Sequence, residues 1–251
     1  MSKSLPVKLT KEPLVEAACQ LHVTSSIPLN MVFPGFLLGK YPQDVSQPQQ
    51  LPMAMVPEQV RAAQPQMAFA PLVRIRFKEV LLLIGERSIT ISNPAPYLGW
   101  PHFKVIIVEV LTKLFESGLV STVNRYSLKY TNVLKTGETP EPLSALAWDI
   151  SIGQIDLNKT ATTLRTETLA DAGLVTVITI SGGVTVQAEG REAVQGTLID
   201  IDAICQNQPK DVESFASSMN EELDRVRRVN KEVFFECLTD QAIRALGPSY
   251  E

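Results

Sequence analysis

At 251 residues, 45% hydrophobic and 20% charged, the chain carries enough apolar side chain to bury a sizeable core, which excludes disorder over most of its length. Lys and Arg number 23 against 27 Asp and Glu, a net charge of −4, so no overall positive field attracts a polyanion and nucleic acid would need a local basic patch. No stretch approaches the roughly 18 apolar residues of a membrane-spanning helix, and the start, Met-Ser-Lys-Ser-Leu-Pro-Val-Lys, lacks a long apolar run, so the expectation is a soluble, cytoplasmic protein. Cys19, Cys205 and Cys237 are odd in number and lie far apart in apolar surroundings, which fits buried reduced thiols better than a disulfide framework.

The first strand is expected from Leu14 to about Thr24, where Val15, Ala17, Cys19, Leu21 and Val23 alternate with Glu16, Gln20 and His22. From Pro28 to Pro71 prolines, glutamines and methionines dominate. Proline denies a strand its ladder donors and breaks helices, so this reads as a long connection with short helical turns near Phe36 to Tyr41 and Pro57 to Ala63. Alternation returns with Val73, Ile75 and Phe77 against Arg74, Arg76 and Lys78. The apolar run Val80 to Ile84 and the segment Ser88 to Ser92 follow, joined by a hairpin or bulge at Gly85-Glu86.

Gly99-Trp100-Pro101 opens a helix in which Phe103, Ile106, Ile107, Val110, Leu111 and Leu114 repeat at three and four. Pro101 suits its first turn and Gly118 its end. A strand then carries Tyr126, Leu128 and Tyr130 on one side, with Arg125, Ser127, Lys129 and Thr131 on the other. The polar run Thr136-Gly-Glu-Thr-Pro-Glu-Pro142 marks the best internal boundary, between a first half, 1–135, and a second, 143–251. Beyond it strands are expected at Ala147 to Ile152, Ala161 to Leu169, Leu174 to Ser181 and Gly196 to Ala203. Turns fall at Asp171 to Gly173 and Gly182-Gly183. Asp211 to about Leu246 reads as one long amphipathic helix with Phe215, Met219, Leu223, Val226, Val233, Cys237 and Leu238 on its apolar stripe. The fold class is therefore α+β: antiparallel sheets in two strand-plus-helix halves, with a long C-terminal amphipathic helix. No glycine-rich phosphate fingerprint follows any strand.

Five ordered segments carry a resemblance. They are Pro13-Leu-Val-Glu-Ala17, Pro34-Gly-Phe-Leu-Leu-Gly39, Pro96-Tyr-Leu-Gly-Trp-Pro-His-Phe103, Arg125-Tyr-Ser-Leu-Lys-Tyr-Thr-Asn132 and Phe235-Glu-Cys-Leu-Thr-Asp240, and together they span nearly the whole chain. The set resembles a sporadically distributed family of uncharacterised bacterial and archaeal proteins of about this length, to which no activity attaches. That distribution implies an accessory role in a mobile or defence-associated gene cluster. Members often carry a histidine in the last helix about two turns before the Phe-Glu pair, where this chain has Arg228.

Reactive constellations are sparse. His22 and His102 are the only histidines, neither has Cys or Asp at ligand spacing, and no metal or other cofactor is expected. No nucleophile elbow occurs, and Ser181-Gly-Gly reads as a turn. Asp200 and Asp202 share one face of a strand, away from Ile199 and Ile201. The pair could hold a divalent ion or supply an acid and base pair, joined by Asp149 or Glu189 if neighbouring strands bring these close, or it is a solvated face, as any solvent-facing strand shows. Tyr97 and Trp100 either pin the helix entrance or line a pocket or partner surface. Arg125 and Lys129 offer a solvated or an anion-binding face. In the last helix Arg225, Arg227, Arg228 and Lys231 interleave with Glu221, Glu222, Asp224 and Glu232, a pattern that exposed helical ion pairs explain.

Three functions are compatible with these residues. The first is a non-enzymatic binding or assembly protein whose partner is a protein, foremost another copy of itself. The second is a small-molecule or nucleotide binding protein, or hydrolase, with Tyr97, Trp100, Arg125 and Asp202 around one cleft. The third, a nucleic acid binder, requires a continuous basic stripe of Arg74, Arg76, Lys78, Arg125 and Lys129.

Overall fold

The computed structural model describes residues 5–65, 67–135, 143–157, 162–169, 173–187, 193–206 and 209–250. In chain order the elements are β1 (Lys8–Leu9), β2 (Leu14–Ser25), α1 (Leu29–Lys40), β3 (Gln49–Gln50), a 3-10 turn (Pro52–Met55), α2 (Glu58–Ala63), β4 (Val73–Phe77), β5 (Val80–Ile84), β6 (Ser88–Pro94), α3 (Trp100–Glu116) and β7 (Val120–Lys135). They continue with β8 (Thr163–Leu169), β9 (Leu174–Val186), β10 (Val194–Cys205), β11 (Lys210–Asp211), α4 (Val212–Glu236), α5 (Asp240–Ala245) and β12 (Pro248–Ser249). The protein is α+β with antiparallel sheets and a long helix near its C-terminus. The expected boundary at 136–142 and the turn residues Asp171 and Ala172 lie outside the described residues.

By compactness the chain forms two units, each assembled from separated stretches: residues 17–128 with 204–226, and residues 1–16 with 129–203 and 227–251. In the first unit the strand order is β3-β4-β5-β6-β2-β7, and β11 pairs with β7 at Val123 and Thr122. The two hairpins β4–β5 and β5–β6 place Ile75 against Leu82 and Leu82 against Ile91, all fully or nearly fully buried. Alternation in β2 holds from Ala17 to Val23, where Ala17, Cys19, Leu21 and Val23 are buried while Gln20 and His22 are half-buried; at the start of the strand Leu14 is buried and Val15 only half-buried. Helix α3 buries all six residues of its apolar stripe, starts with Pro in its first turn, and ends before Gly118, whose φ of +70° is the left-handed conformation glycine supplies.

The proline-rich connection holds more regular structure than expected. Helix α1 covers twelve residues and accommodates Pro34 inside it. Leu29, Phe33 and Leu37, spaced by four, are fully buried, and that packing outweighs the one backbone bond Pro34 cannot make. The start of α1 is anchored on the β5–β6 turn, where Leu29 N donates to Glu86 O at 2.9 Å and Asn30 N to Gly85 O at 3.2 Å. Arg61 of α2 donates to the Val56 carbonyl and pairs with the Glu86 carboxylate.

In the second unit the order is β7-β10-β9-β8. Leu134, Ile180, Ile199 and Ile201 from the sheet meet Leu143, Leu146, Phe234 and Leu238 in one core. Three expectations are corrected here. The segment Ala147 to Ile152 is not a strand; only isolated bridges, Leu146 with Leu238 and Ile152 with Ile155, touch it. Gly182-Gly183 is not a turn but lies within the 13-residue β9, and the glycine at 182 answers a close approach instead, since a Cβ there would stand 3.0 Å from Leu143 Cδ2. The last helix is two helices: α4 ends at Glu236, and Thr239 caps α5, its Oγ1 accepting from Ala242 N at 3.1 Å.

Candidate functional site

Each candidate side chain is held by a specific neighbour. Tyr97 meets Phe103 edge to face at 6.1 Å, and the Leu98 amide donates to Asn93 Oδ1 at 3.0 Å, which fixes the entrance to α3. Trp100 Nε1 donates to Asp224 Oδ1 at 3.0 Å, and Lys104 Nζ to Asp224 Oδ2 at 2.7 Å, tying the start of α3 to the middle of α4. These contacts give both aromatics a structural task. Arg125 Nη1 donates to Gln20 Oε1 at 2.7 Å and lies 3.4 Å from His22 Nε2. Lys129 pairs with Asp200 at 2.7 Å. Asp202 shares the face of Asp200, since Ile199, Ile201 and Ala203, which alternate with them, are fully buried on the other. Asp149 sits in a segment that is not a strand, and Glu189 lies outside the described residues.

The basic stripe needed for nucleic acid does not form in the first unit. Strands β5, β6 and β2 separate β4, with Arg74 and Arg76, from β7, with Arg125, a span of roughly 19 Å at the usual strand spacing. Leu83 and Leu81 stand opposite Arg74 and Arg76. Lys78, with φ +51°, reaches Glu109 of α3 at 2.6 Å and packs beside the Phe77 and Tyr41 rings. In α4 Arg227 is not a solvated charge; its guanidinium lies over the Tyr130 ring at 5.6 Å.

Two polar clusters escaped the sequence reading. The first gathers Gln20 and His22 of β2, Thr90 of β6, Arg125 of β7 and Phe69. His22 and Phe69 stack flat, with centroids 3.8 Å apart and planes within 2°. Gln20 Nε2 donates to Thr90 Oγ1 at 3.1 Å, and Arg87 reaches the Phe69 ring at 5.8 Å. Burial and the nearby Arg125 charge lower the His22 pKa to about 4. The second cluster surrounds Tyr126, whose hydroxyl donates to Glu222 and shares a hydrogen bond with the Cys205 thiol; Lys210 Nζ donates to Glu222 Oε1 at 2.5 Å. Burial pushes the Glu222 pKa up, but the bonds from Lys210 and Tyr126 and the charges of Lys210 and Arg225 outweigh it and leave the pKa below the usual carboxylate range. Burial foremost, then the bonds to Cys205 and Glu222, raises the Tyr126 pKa. Glu222 is thus an ionised acceptor that joins β7 and β11 to α4. No sequence spacing announces either cluster, because each spans elements far apart in the chain.

The His22 stack makes stability pH dependent. The unfolded chain takes up the proton near pH 6.5 and the folded chain only near 4, so stability is complete above 6.5 and falls as pH drops through that window. Discounted for partial exposure, the loss by pH 4 is about 2 kcal/mol. Urea midpoints taken between pH 7.5 and 4.5 should fall less steeply in His22→Phe, which keeps a stacked ring and removes the titration. Equal slopes would show that His22 does not control this window.

Among the described residues, no three of His, Cys, Asp or Glu converge as a metal site would require, and no helix is long and apolar enough to cross a membrane. None of the three cysteines is in a disulfide; Cys19 is buried, and burial foremost raises the Cys237 pKa to about 11. Neither a protein-family model nor a curated protein matches the sequence.

Proposed function

We propose that the chain is a binding and assembly protein that associates with a second copy of itself. The observation that carries this reading is a contrast in how side chains are used. Trp100, Arg125, Lys129 and Asp200 are each engaged in a pairwise contact inside one unit, while large apolar side chains stand in solvent. Met31 is 72% exposed, Met55 79% and Leu169 87%. Flexible Met side chains suit adaptable contact surfaces. Membership in the sporadically distributed family that the five motifs resemble, with an accessory role in a defence-associated cluster and a cytoplasmic location, belongs to the same proposal.

Light scattering coupled to size exclusion tests it: the expected mass is twice that of the chain, rising toward that value with concentration. A chain-mass particle at every concentration would refute self-association. A second reading, ligand binding, is favoured by the flat His22–Phe69 stack beside Arg125 and Gln20, which offers an aromatic face next to a cation. Thermal shifts with nucleotides and divalent ions, absent in Arg125→Ala, would support it.

A further inference from the structure

The second unit's sheet ends in β8, and the outward edge of β8 has no partner strand among the described residues. Its backbone orientation follows from the pairing with β9. Thr163 faces Ser181 and Leu169 faces Val175 in that register, and the next pair, Thr162 with Gly182, is hydrogen-bonded, Gly182 N donating to Thr162 O at 3.0 Å. Hydrogen-bonded and non-hydrogen-bonded pairs alternate along an antiparallel ladder. Leu164, Thr166 and Thr168 therefore spend their backbone groups on β9, while Thr163, Arg165, Glu167 and Leu169 direct theirs outward. The close side chains of Thr163 and Ser181, whose hydroxyl oxygens are 3.0 Å apart, fit the non-hydrogen-bonded position this assigns them.

We infer that β8 pairs edge to edge with β8 of a second copy, antiparallel, about a two-fold axis at Thr166. This rests on the self-association proposed above and names its surface. In this register Arg165 of each copy stands opposite Glu167 of the other, Thr163 opposite Leu169, and Thr166 opposite itself. Every residue with outward backbone groups meets another such residue, so the two strands exchange about eight N–H···O bonds.

Charge selects the register. Moving the axis one residue either way sets Arg165 against Arg165 or Glu167 against Glu167, and like charges directly opposite are destabilising. Half-step shifts match outward backbone groups with inward ones and forfeit the bonds. Arg165 and Glu167 already share the exposed face of β8 and pair with each other at 2.6 Å, so the pair is placed to bridge to a second strand. Proteins usually blunt long edge strands with Lys, Pro or extreme shortness. The first unit does so, its outer strand β3 being two residues long. Strand β8 has seven residues, no Lys, no Pro and no net charge, and ends on the exposed Leu169. An isologous pairing of this edge closes on itself after two copies and leaves no open end for further growth.

Sedimentation velocity of the full chain over a range of concentrations tests the pairing. Wild type should sediment as a dimer. Glu167→Pro deletes one outward N–H per copy while sparing the ladder to β9, and should be monomeric with unchanged circular dichroism. Glu167→Arg, which replaces two attractive contacts with two repulsive ones, should weaken the dimer about tenfold or more. The double exchange Arg165→Glu with Glu167→Arg should restore it. Independently, Thr166→Cys, opposite itself at a non-hydrogen-bonded pair, should form an interchain disulfide on mild oxidation, and Thr163→Cys should not. A dimer untouched by Glu167→Pro and not cross-linked through Thr166→Cys overturns the edge pairing alone. A wild type monomeric throughout overturns both the pairing and the proposal beneath it.

Discussion

Replacing Phe215 by alanine should lower the unfolding free energy by about 3 to 5 kcal/mol, the largest loss expected from any single truncation in the first unit. Phe215 lies in the first turn of α4, fully buried, and meets Phe115 of α3 edge to face at 6.0 Å and Tyr126 of β7 at 5.2 Å. Three separate elements thus depend on one ring, and its removal leaves a void that none of them can fill alone. The cost has two parts: the lost transfer energy of the ring, and the contacts its neighbours forfeit across the cavity. Phe215→Leu, which keeps most of the volume, should cost less than half as much. The cavity also lies beside the Tyr126 ring, whose hydroxyl Glu222 accepts, so the near-ultraviolet tyrosine signal should change in the alanine variant before unfolding begins. Urea titration followed by circular dichroism gives the free energies, and a loss under about 1 kcal/mol would contradict the packing described.

Why some of this architecture could be read from residues alone, and some could not, is seen by comparing α3 with α1. In α3 the apolar stripe, the entering Pro101 and the closing Gly118 agree, and all six stripe residues are buried. In α1 the local signals conflict. Pro34, Gly35 and Gly39 argue against a helix, while Leu29, Phe33 and Leu37 at intervals of four argue for one. Tertiary burial settles such a conflict, and a sequence does not display tertiary burial. Gly182-Gly183 misleads for a related reason. Glycine marks both turns and close approaches, and only the position of Leu143 shows that Gly182 serves the second purpose. The end of α4 was available in principle: Thr239 followed by Asp240 and Gln241 is a helix start inside an apparently continuous stripe.

The polar residues divide along the same line. Alternation correctly assigned Asp200 and Asp202 to one face of β10, because that depends only on a strand's period of two. Whether that face was solvent, metal site or ion pair depended on the neighbouring strand, and β7 supplies Lys129. The same ignorance of strand order let Arg74, Arg76 and Arg125 look like one basic stripe, when three strands intervene. His22 illustrates the limit most clearly. It was visible as a lone histidine on the less buried face of β2, but its stack on Phe69 depends on how the proline-rich connection folds back over the sheet. Local periodicity fixes what a side chain faces away from; only the fold determines what it faces.

Gly196→Ala should destabilise the second unit by roughly 3 kcal/mol or more, although it adds a single methyl group. Gly196 lies near the start of β10, where a Cβ would stand 2.0 Å from the Leu134 carbonyl oxygen, 2.8 Å from its carbonyl carbon and 3.1 Å from Lys135 Cα. These are backbone atoms of β7, which have no rotamer to adopt, so the two strands must move apart. Leu134, Ile199 and Ile201 on those strands form one core with Phe234 and Leu238, and separation at Gly196 therefore opens contacts well beyond the added methyl. Gly39→Ala is the matched comparison. A Cβ there meets nothing within 4 Å, and alanine is favoured over glycine in a helix by about 0.5 to 1 kcal/mol, so that variant should be neutral or more stable than wild type. The opposite signs of the two substitutions, measured as shifts in urea midpoint, separate steric contact between β7 and β10 from any general intolerance of glycine replacement. Equal effects, or a Gly196→Ala loss below about 1 kcal/mol, would place β10 farther from β7 than the fold described here requires.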